Sequence, residues 1–89
     1  MDLTDHNDFD SFARQHGWTY DNGWPFKGDR WDSYYAPDEF RNLQLLRSAP
    51  NRVVVIAVDR KPQSAVWSGE ISSDADFLAM LEALRNRDN

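Results

Sequence analysis

The segment Val53–Val58 constrains the fold of this chain most strongly, because it places six apolar residues in a row, four of them valine. Valine and isoleucine favour extended backbone, since their branched side chains fit a pleated surface better than a helix. An uninterrupted apolar run of this length is typical of a strand that is covered on both sides. The sequence therefore predicts a central strand at Arg52–Asp59, in a sheet whose two faces both need cover.

Three further segments have the apolar alternation or β-branched content of strands, and turn residues separate them. They are Arg30–Tyr35, Phe40–Arg47 and Ser64–Ile71. Because connections this short join neighbouring strands, we expect antiparallel pairing in chain order. The segment 18–26 fits either a short hairpin or a packed loop, since Pro25 cannot donate a hydrogen bond to a sheet.

Amphipathic segments flank this predicted sheet at both ends of the chain. The first, Thr4–His16, has acidic residues in its first turn and an apolar stripe at helical spacing, formed by Phe9, Phe12, Ala13 and His16. Gly17 follows as the residue that ends the helix. A final helix begins after Ser72 or Ser73, with a stripe formed by Phe77, Leu78, Leu81 and Leu84. We therefore predict one α+β domain spanning residues 1–89, a four-stranded antiparallel meander flanked by an N-terminal and a C-terminal helix.

The strand pattern also predicts which side chains share a face of the sheet. A two- or four-residue loop at the turn 48–51 pairs odd positions of one strand with even positions of the next. With a four-residue loop at 60–63, the core face then holds Leu43, Leu45, Val54, Ile56, Val58, Ala65, Trp67 and Ile71. The centre of the opposite face is apolar and holds Leu46, Val53, Val55 and Val66. We expect either a helix on each face or a dimer interface at these four residues.

Residues 18–35 hold seven aromatic side chains interleaved with carboxylates. Trp18, Trp31 and Tyr35 are the candidates for the core, because a small domain without disulfides needs bulky residues to fill it. Aromatic side chains at turns and off the core face are candidates for recognition, since Trp and Tyr are enriched at binding hot spots. The predicted partner-binding residues are Trp24, Phe26, Asp29, Asp32 and Tyr34.

Composition and charge narrow the classes of function. The chain has no cysteine, which excludes disulfides and thiolate chemistry, and its net charge of −5 disfavours nucleic-acid binding. The strand and turn arginines, Arg47 and Arg52 among them, fit a solvated rim of the sheet. His6 and His16 lie ten residues apart on one helix, too far to share a metal ion. Because motifs for catalysis or phosphate binding are also absent, we predict a protein that is not an enzyme and has no cofactor or metal.

No apolar run reaches the roughly 20 residues of a membrane span, and the first residues are acidic, so we expect a cytoplasmic protein without a membrane segment. Arginine outnumbers lysine eight to two, and the segments Ala13–Trp18 and Val66–Ile71 resemble stretches in small uncharacterised proteins of actinobacteria and their bacteriophages. That resemblance implies a phage accessory protein that acts on a host protein, and it carries over no functional residue.

We therefore predict an acidic, non-enzymatic module that binds a protein partner through the aromatic segment or the second sheet face. Two alternatives remain open at this point. One is a homodimeric structural protein that associates through the second face of the sheet. The other is a module that binds a small ligand or a sugar through the aromatic segment.

Overall fold

The computed structural model describes residues 2–48, 50–59 and 64–87. These residues form two α-helices and five strands, which are α1 (His6–Gln15), β1 (Thr19–Phe26), β2 (Asp29–Tyr35), β3 (Leu43–Ser48), β4 (Arg52–Ala57), β5 (Ala65–Glu70) and α2 (Asp74–Asn86). One turn of 3-10 helix, Asp38–Phe40, separates β2 from β3. The α+β class is confirmed. The predicted number of four strands is wrong, because the segment 18–26 contributes a full strand.

The five strands pair antiparallel in the order β1-β2-β3-β4-β5. A two-residue turn joins β1 to β2, and its residues Lys27 and Gly28 both have positive φ angles of 52° and 86°. Such angles give a type I′ turn, whose twist matches that of the strands it joins. Pro25 is tolerated in β1 because β1 is an edge strand, where one side of the backbone has no neighbour.

The register between β3 and β4 corrects the predicted assignment of faces. Ser48 pairs with Arg52, which leaves three residues, 49–51, between the strands. With an odd number of loop residues, odd positions pair with odd positions, so Leu45 lies opposite Val55. The predicted core members Val54 and Ile56 therefore lie on the opposite face, and Val53, Val55 and Ala57 lie in the core.

An irregularity in β5 changes its faces as well. Val55 pairs with Trp67 and Ile56 pairs with Ala65, so Val66 is an extra residue in the ladder. Trp67 consequently shares a face with Val55, and Ala65 shares the other with Ile56. The predicted loop at 60–63 lies outside the described residues.

The end of α1 follows the predicted glycine stop. Gly17 has a φ of 87°, and its N–H donates to the carbonyl of Arg14, while the N–H of Trp18 donates to that of Ala13, both at 3.0 Å. This pair of bonds is a Schellman motif, which satisfies carbonyls that the helix leaves free. A side chain at Gly17 would also meet Pro37, since an added Cβ would lie 2.9 Å from the Cβ of Pro37. The motif turns the chain directly from α1 into β1.

The start of α2 has a modified capping box. The hydroxyl of Ser73 accepts a hydrogen bond from the N–H of Asp76 at 3.3 Å. The Asp76 carboxylate accepts in return from the N–H of Ser72 at 3.1 Å, one residue before the cap. The hydrogen bonds from Ser72 lower the pKa of Asp76, because they stabilise its charged form. Ser73, and not Ser72, is therefore the N-cap residue of α2.

Both helices pack on the same face of the sheet and share one apolar core with it. The helices contribute Phe9, Ala13, Phe77, Met80, Leu81 and Leu84, and the sheet contributes Tyr34, Leu43, Leu45, Val53, Val55 and Ala57. Met80 is fully buried and belongs to the apolar stripe of α2. The prediction that Leu78 belongs to this stripe is wrong, and its side chain is 46% exposed. Leu78 lies on a different side of the helix from residues 77, 81 and 84. The expectation of a helix on each face is wrong, because no helix formed by the described residues lies over the other face of the sheet.

Candidate functional site: the uncovered sheet face

The face of the sheet that neither helix covers is called the open face below, and its members follow from the strand pairing. One row across the strands consists of Ser33, Leu46, Val54 and Ser68. A second row consists of Trp24, Trp31, Ser48, Arg52 and Glu70. A third consists of Tyr35, Gln44, Ile56 and Ala65. The open face is thus apolar on its central strands and carries polar groups towards its margins.

An apolar depression of about 270 Å³ lies at one corner of the open face. Its lining is formed by Trp24, Phe26, Trp31 and Leu46. The β1–β2 turn sets this geometry, because it pairs Trp24 with Trp31 and Phe26 with Asp29. Phe26 is 53% exposed, and the ammonium of Lys27 lies 5.3 Å from the centre of its ring. The depression is therefore accessible from solvent and is built almost wholly from indole, phenyl and isobutyl groups.

A polar notch of about 120 Å³ adjoins this depression. Its lining includes Asp29, Ser48, Asn51, Arg52 and Glu70. Arg52 and Glu70 lie directly opposite each other on β4 and β5. The open face thus combines an apolar depression and a notch with mixed charge.

The side chain of Ser33 fastens the edge strand β1 to the open face. Its hydroxyl donates to the amide oxygen of Asn22 at 3.0 Å and lies 3.2 Å from the carboxylate of Asp21. The ladder shifts register between Tyr20 and Gly23, so Asp21 and Asn22 share one partner position on β2. This irregularity interrupts the regular edge of the sheet and makes strand addition at β1 unfavourable.

The predicted partner-binding residues divide between the two faces. Trp24, Phe26 and Asp29 lie on the open face, as the pairing with Trp31 requires. Asp32 and Tyr34 are buried on the helix side, so the interpretation of these two as contact residues is wrong. Alternation along β2 explains the division, because successive side chains point to opposite faces.

Tyr34 and Asp32 belong to a polar network beneath α1. The Tyr34 hydroxyl donates to the Asp10 carboxylate at 3.2 Å, and burial together with that carboxylate raises the pKa of Tyr34. Asp32 accepts from the hydroxyl of Tyr20 at 3.0 Å and from Nε of Arg30 at 3.3 Å. Nδ1 of His6 lies 3.5 Å from the same carboxylate. These groups have partners within the protein and serve to join α1 to the sheet.

The predicted dimer-interface residues are also separated. Leu46 lies on the open face, half-buried beside Val54. Val53 and Val55 have no exposed surface and pack under the helices, and Val66 packs against the core from the irregular part of β5. The three-residue connection explains this, because it moves the odd-numbered residues of β4 to the helix side. The residues that replace them on the open face are Val54 and Ile56.

Arg47 is the most unexpected side chain of the sheet, since its sequence position fits a solvated rim and its exposed fraction is only 1%. Its Nη2 donates to the carbonyl oxygens of Thr4 at 2.8 Å and Pro50 at 2.6 Å. The guanidinium carbon lies 4.6 Å from the centre of the Phe9 ring. Burial lowers the pKa of Arg47, because it disfavours the charged form. Arg47 therefore ties the N-terminal segment to the β3–β4 turn and is not a rim residue.

A separate cleft lies between the 3-10 helix and the end of α2. It measures about 460 Å³ and has Glu39, Arg41 and Arg85 in its lining. Nε of Arg85 lies 2.7 Å from the carboxylate of Glu39, and this hydrogen bond lowers the pKa of Glu39. Three arginines and one glutamate line this cleft, and its Glu39–Arg85 ion pair is exposed, where such pairs contribute little free energy.

Within residues 2–48, 50–59 and 64–87, no group of three or more histidine, aspartate or glutamate side chains is placed to hold a metal ion. His16 packs against the rings of Phe12 and Phe77, at 4.8 and 5.7 Å between centroids. Neither α1, with 10 residues, nor α2, with 13, has the length and hydropathy that a membrane-spanning helix needs. No protein-family model matches the sequence, and neither a curated protein nor a solved structure shows significant similarity to the chain.

Proposed function

We propose that this protein is a non-enzymatic binding module that engages a protein partner through the open face. One observation carries the proposal, namely that both helices lie on one side of a sheet whose central strands are apolar on both sides. Because no helix covers this side, three apolar side chains of the central strands are only half-buried, namely Leu46, Val54 and Ile56. A partner that covers this face removes their apolar surface from water, which is the main driving force of association.

The size of the open face supports a macromolecular partner. Five strands about 4.8 Å apart and about 20 Å long give a surface on the order of 500 Å². The largest apolar patch on an ordinary monomer measures roughly 300–600 Å², and such patches are often functional. A specific interface buries about 800 Å² on each partner, so the open face and its margins match one interface.

The aromatic corner of the open face supports the same proposal. Trp24 and Trp31 lie side by side, and Phe26 projects next to them. Tryptophan is enriched at binding hot spots, because it buries a large area at a small cost in side-chain entropy. We infer that a side chain of the partner enters this depression and supplies much of the binding energy.

The sugar-binding alternative has less support. Among the four side chains that line the depression, only the two indole groups carry a polar atom. A sugar needs several hydrogen-bond partners that fix its orientation, and burying its hydroxyls without them costs free energy. The depression is therefore suited to an apolar group.

Self-association is the second candidate, and one observation favours it. Arg52 and Glu70 lie opposite each other at the margin of the open face, and such a pair is complementary to a second copy of itself across a two-fold axis. Two open faces packed together form a sandwich of two sheets, a common way to cover apolar strands. A partner of a different sequence remains the first candidate, because the net charge of −5 makes two copies repel each other.

The variant Val54→Asp tests the proposed function, because it places a charge at the centre of the open face. We expect partner affinity to fall about 100-fold, since a carboxylate buried in an apolar interface has no counter-charge. The matched control is Leu78→Asp, which places the same charge on the exposed side of α2. Proteins captured from an extract of the native cells would be compared by quantitative mass spectrometry, with circular dichroism to check folding.

Wild type and Leu78→Asp should retain a common captured protein that Val54→Asp loses. Equal capture by all three proteins, or no specific capture by any of them, would contradict the proposed function. Light scattering on the same proteins distinguishes the second candidate. A dimer in wild type and Leu78→Asp that is a monomer in Val54→Asp would show that the open face binds a second copy.

A further inference from the structure

We propose that the partner segment on the open face is extended and carries a large apolar residue and, two residues away, an arginine or lysine. This inference rests on the proposed function and specifies the chemistry of the partner. It follows from the juxtaposition of the apolar depression at Trp31 with the notch at Asp29.

The cationic residue of the partner is inferred from the charges that line the notch. Two carboxylates, Glu70 and Asp29, and one cation, Arg52, line the notch, and Arg52 lies opposite Glu70 on the neighbouring strand, so the excess negative charge falls at the carboxylate of Asp29. No described side chain forms a hydrogen bond or an ion pair with that carboxylate. A guanidinium or an ammonium from a partner supplies the missing opposite charge, and in a partly desolvated notch the pair is stronger than on open surface.

Ser48 supplies a second polar group to the lining of the notch. The residue is 3% exposed, it lines the notch, and its hydroxyl has no hydrogen-bond partner among the described residues. The Ser48 hydroxyl reaches the solvent of the notch, so it can accept a hydrogen bond from a group that arrives there. Arginine and lysine carry more than one donor each, and one such side chain can reach both Ser48 and Asp29.

The spacing between the two subsites indicates the conformation of the partner. Trp31 and Asp29 are two residues apart on one face of β2, and Leu46 and Ser48 are two residues apart on the same face of β3. Two residues of a strand span about 6.7 Å. An extended peptide that follows these strands repeats the same spacing, so its residues i and i+2 reach the depression and the notch together.

The proposal can be tested with a displayed library of random seven-residue peptides, selected on the immobilised wild-type protein. Enriched peptides should share a large apolar residue followed or preceded at a distance of two by arginine or lysine. For one enriched peptide made synthetically, Asp29→Asn should weaken binding about 5- to 10-fold. The control Asp38→Asn removes an exposed carboxylate on the helix side and should leave the affinity unchanged.

A double-mutant cycle identifies the contact directly. Replacing the basic residue of the peptide by glutamine should cost the same factor as Asp29→Asn, and the two changes together should cost no more than either alone. Additive losses would overturn the inference, as would enriched peptides without a basic residue or a library that yields none.

The peptide-binding results with the variants also distinguish a failure of this inference from a failure of the proposed function. Peptides that are only apolar, and whose binding Val54→Asp abolishes, would overturn the inference and leave the open face as the binding surface. Basic peptides whose binding is changed neither by Trp31→Ala nor by Asp29→Asn would contradict both. A dimer that Val54→Asp dissociates would show that a second copy occupies the face, and would overturn the inference as well.

Discussion

Phe77→Ala should lower the free energy of unfolding by about 4 kcal/mol, the largest loss we expect from a single truncation in this protein. Phe77 is fully buried, and its ring contacts those of Phe9, Phe12 and Trp18 at 5.7, 5.4 and 6.4 Å between centroids. The truncation leaves a cavity between both helices and the sheet, which the surrounding rings can fill only in part. A domain of this size is stable by roughly 5–13 kcal/mol, so the variant should remain folded in water but unfold at a much lower urea concentration than wild type.

Urea denaturation followed by tryptophan fluorescence measures this loss. The matched control is Leu78→Ala, which truncates the neighbouring side chain on the exposed side of α2. We expect the control to cost less than about 1 kcal/mol. Similar losses for the two variants would show that α2 does not pack through the stripe that contains Phe77.

Arg47→Ala should lower the free energy of unfolding by about 3 kcal/mol, although arginine is usually a surface residue. The change removes the donor that satisfies the carbonyl oxygens of Thr4 and Pro50, and it removes the cation above the Phe9 ring. Buried carbonyls without partners carry most of the expected cost. Because Arg47 joins the segment before α1 to the β3–β4 turn, amide exchange should also accelerate at Leu3, whose N–H donates to Ser72.

The control for this prediction is Arg52→Ala, five residues along the chain and exposed at the margin of the open face. We expect a change of less than about 0.5 kcal/mol, because an exposed arginine loses little on truncation. A comparable loss in the two variants, measured by the same denaturation experiment, would contradict the buried position of Arg47.

The features that were predictable from the sequence are those with local causes. Gly17 ends α1 and Ser73 caps α2, because each acts on backbone groups only a few residues away. The strand character of Val53–Val58 is likewise a property of its own side chains. The register of the sheet has no such local cause. It depends on the length of the 49–51 connection and on the extra residue at Val66, which alternation along a strand does not reveal.

The candidate site was predictable only in part, because the size and polarity of a side chain do not show which face of β2 it lies on. Trp31 and Tyr35 are larger and more apolar than Asp32 and Ser33, so sequence favours them for the core. The structure buries Asp32 instead and leaves Tyr35 55% exposed. The hydrogen bonds from Tyr20 and Arg30 make the burial of Asp32 possible, and the bond from Tyr20 comes from the neighbouring strand β1, twelve residues earlier in the chain. Trp24, Phe26 and Asp29 were found because they flank a turn, where exposure is the rule.

Carbene labelling read by mass spectrometry tests the central claim most directly, since it reports which side chains contact solvent in the free protein and in a complex. In the free protein we expect Phe26 and Tyr35 to be labelled strongly, the half-buried Trp24 to an intermediate extent, and Trp18 and Tyr34 weakly. Binding of a selected peptide should then protect Trp24, Phe26 and Trp31 and leave α1 and α2 unchanged. Weak labelling of Trp24 and Phe26 in the free monomer, or protection confined to the helices, would contradict an open face that binds a partner.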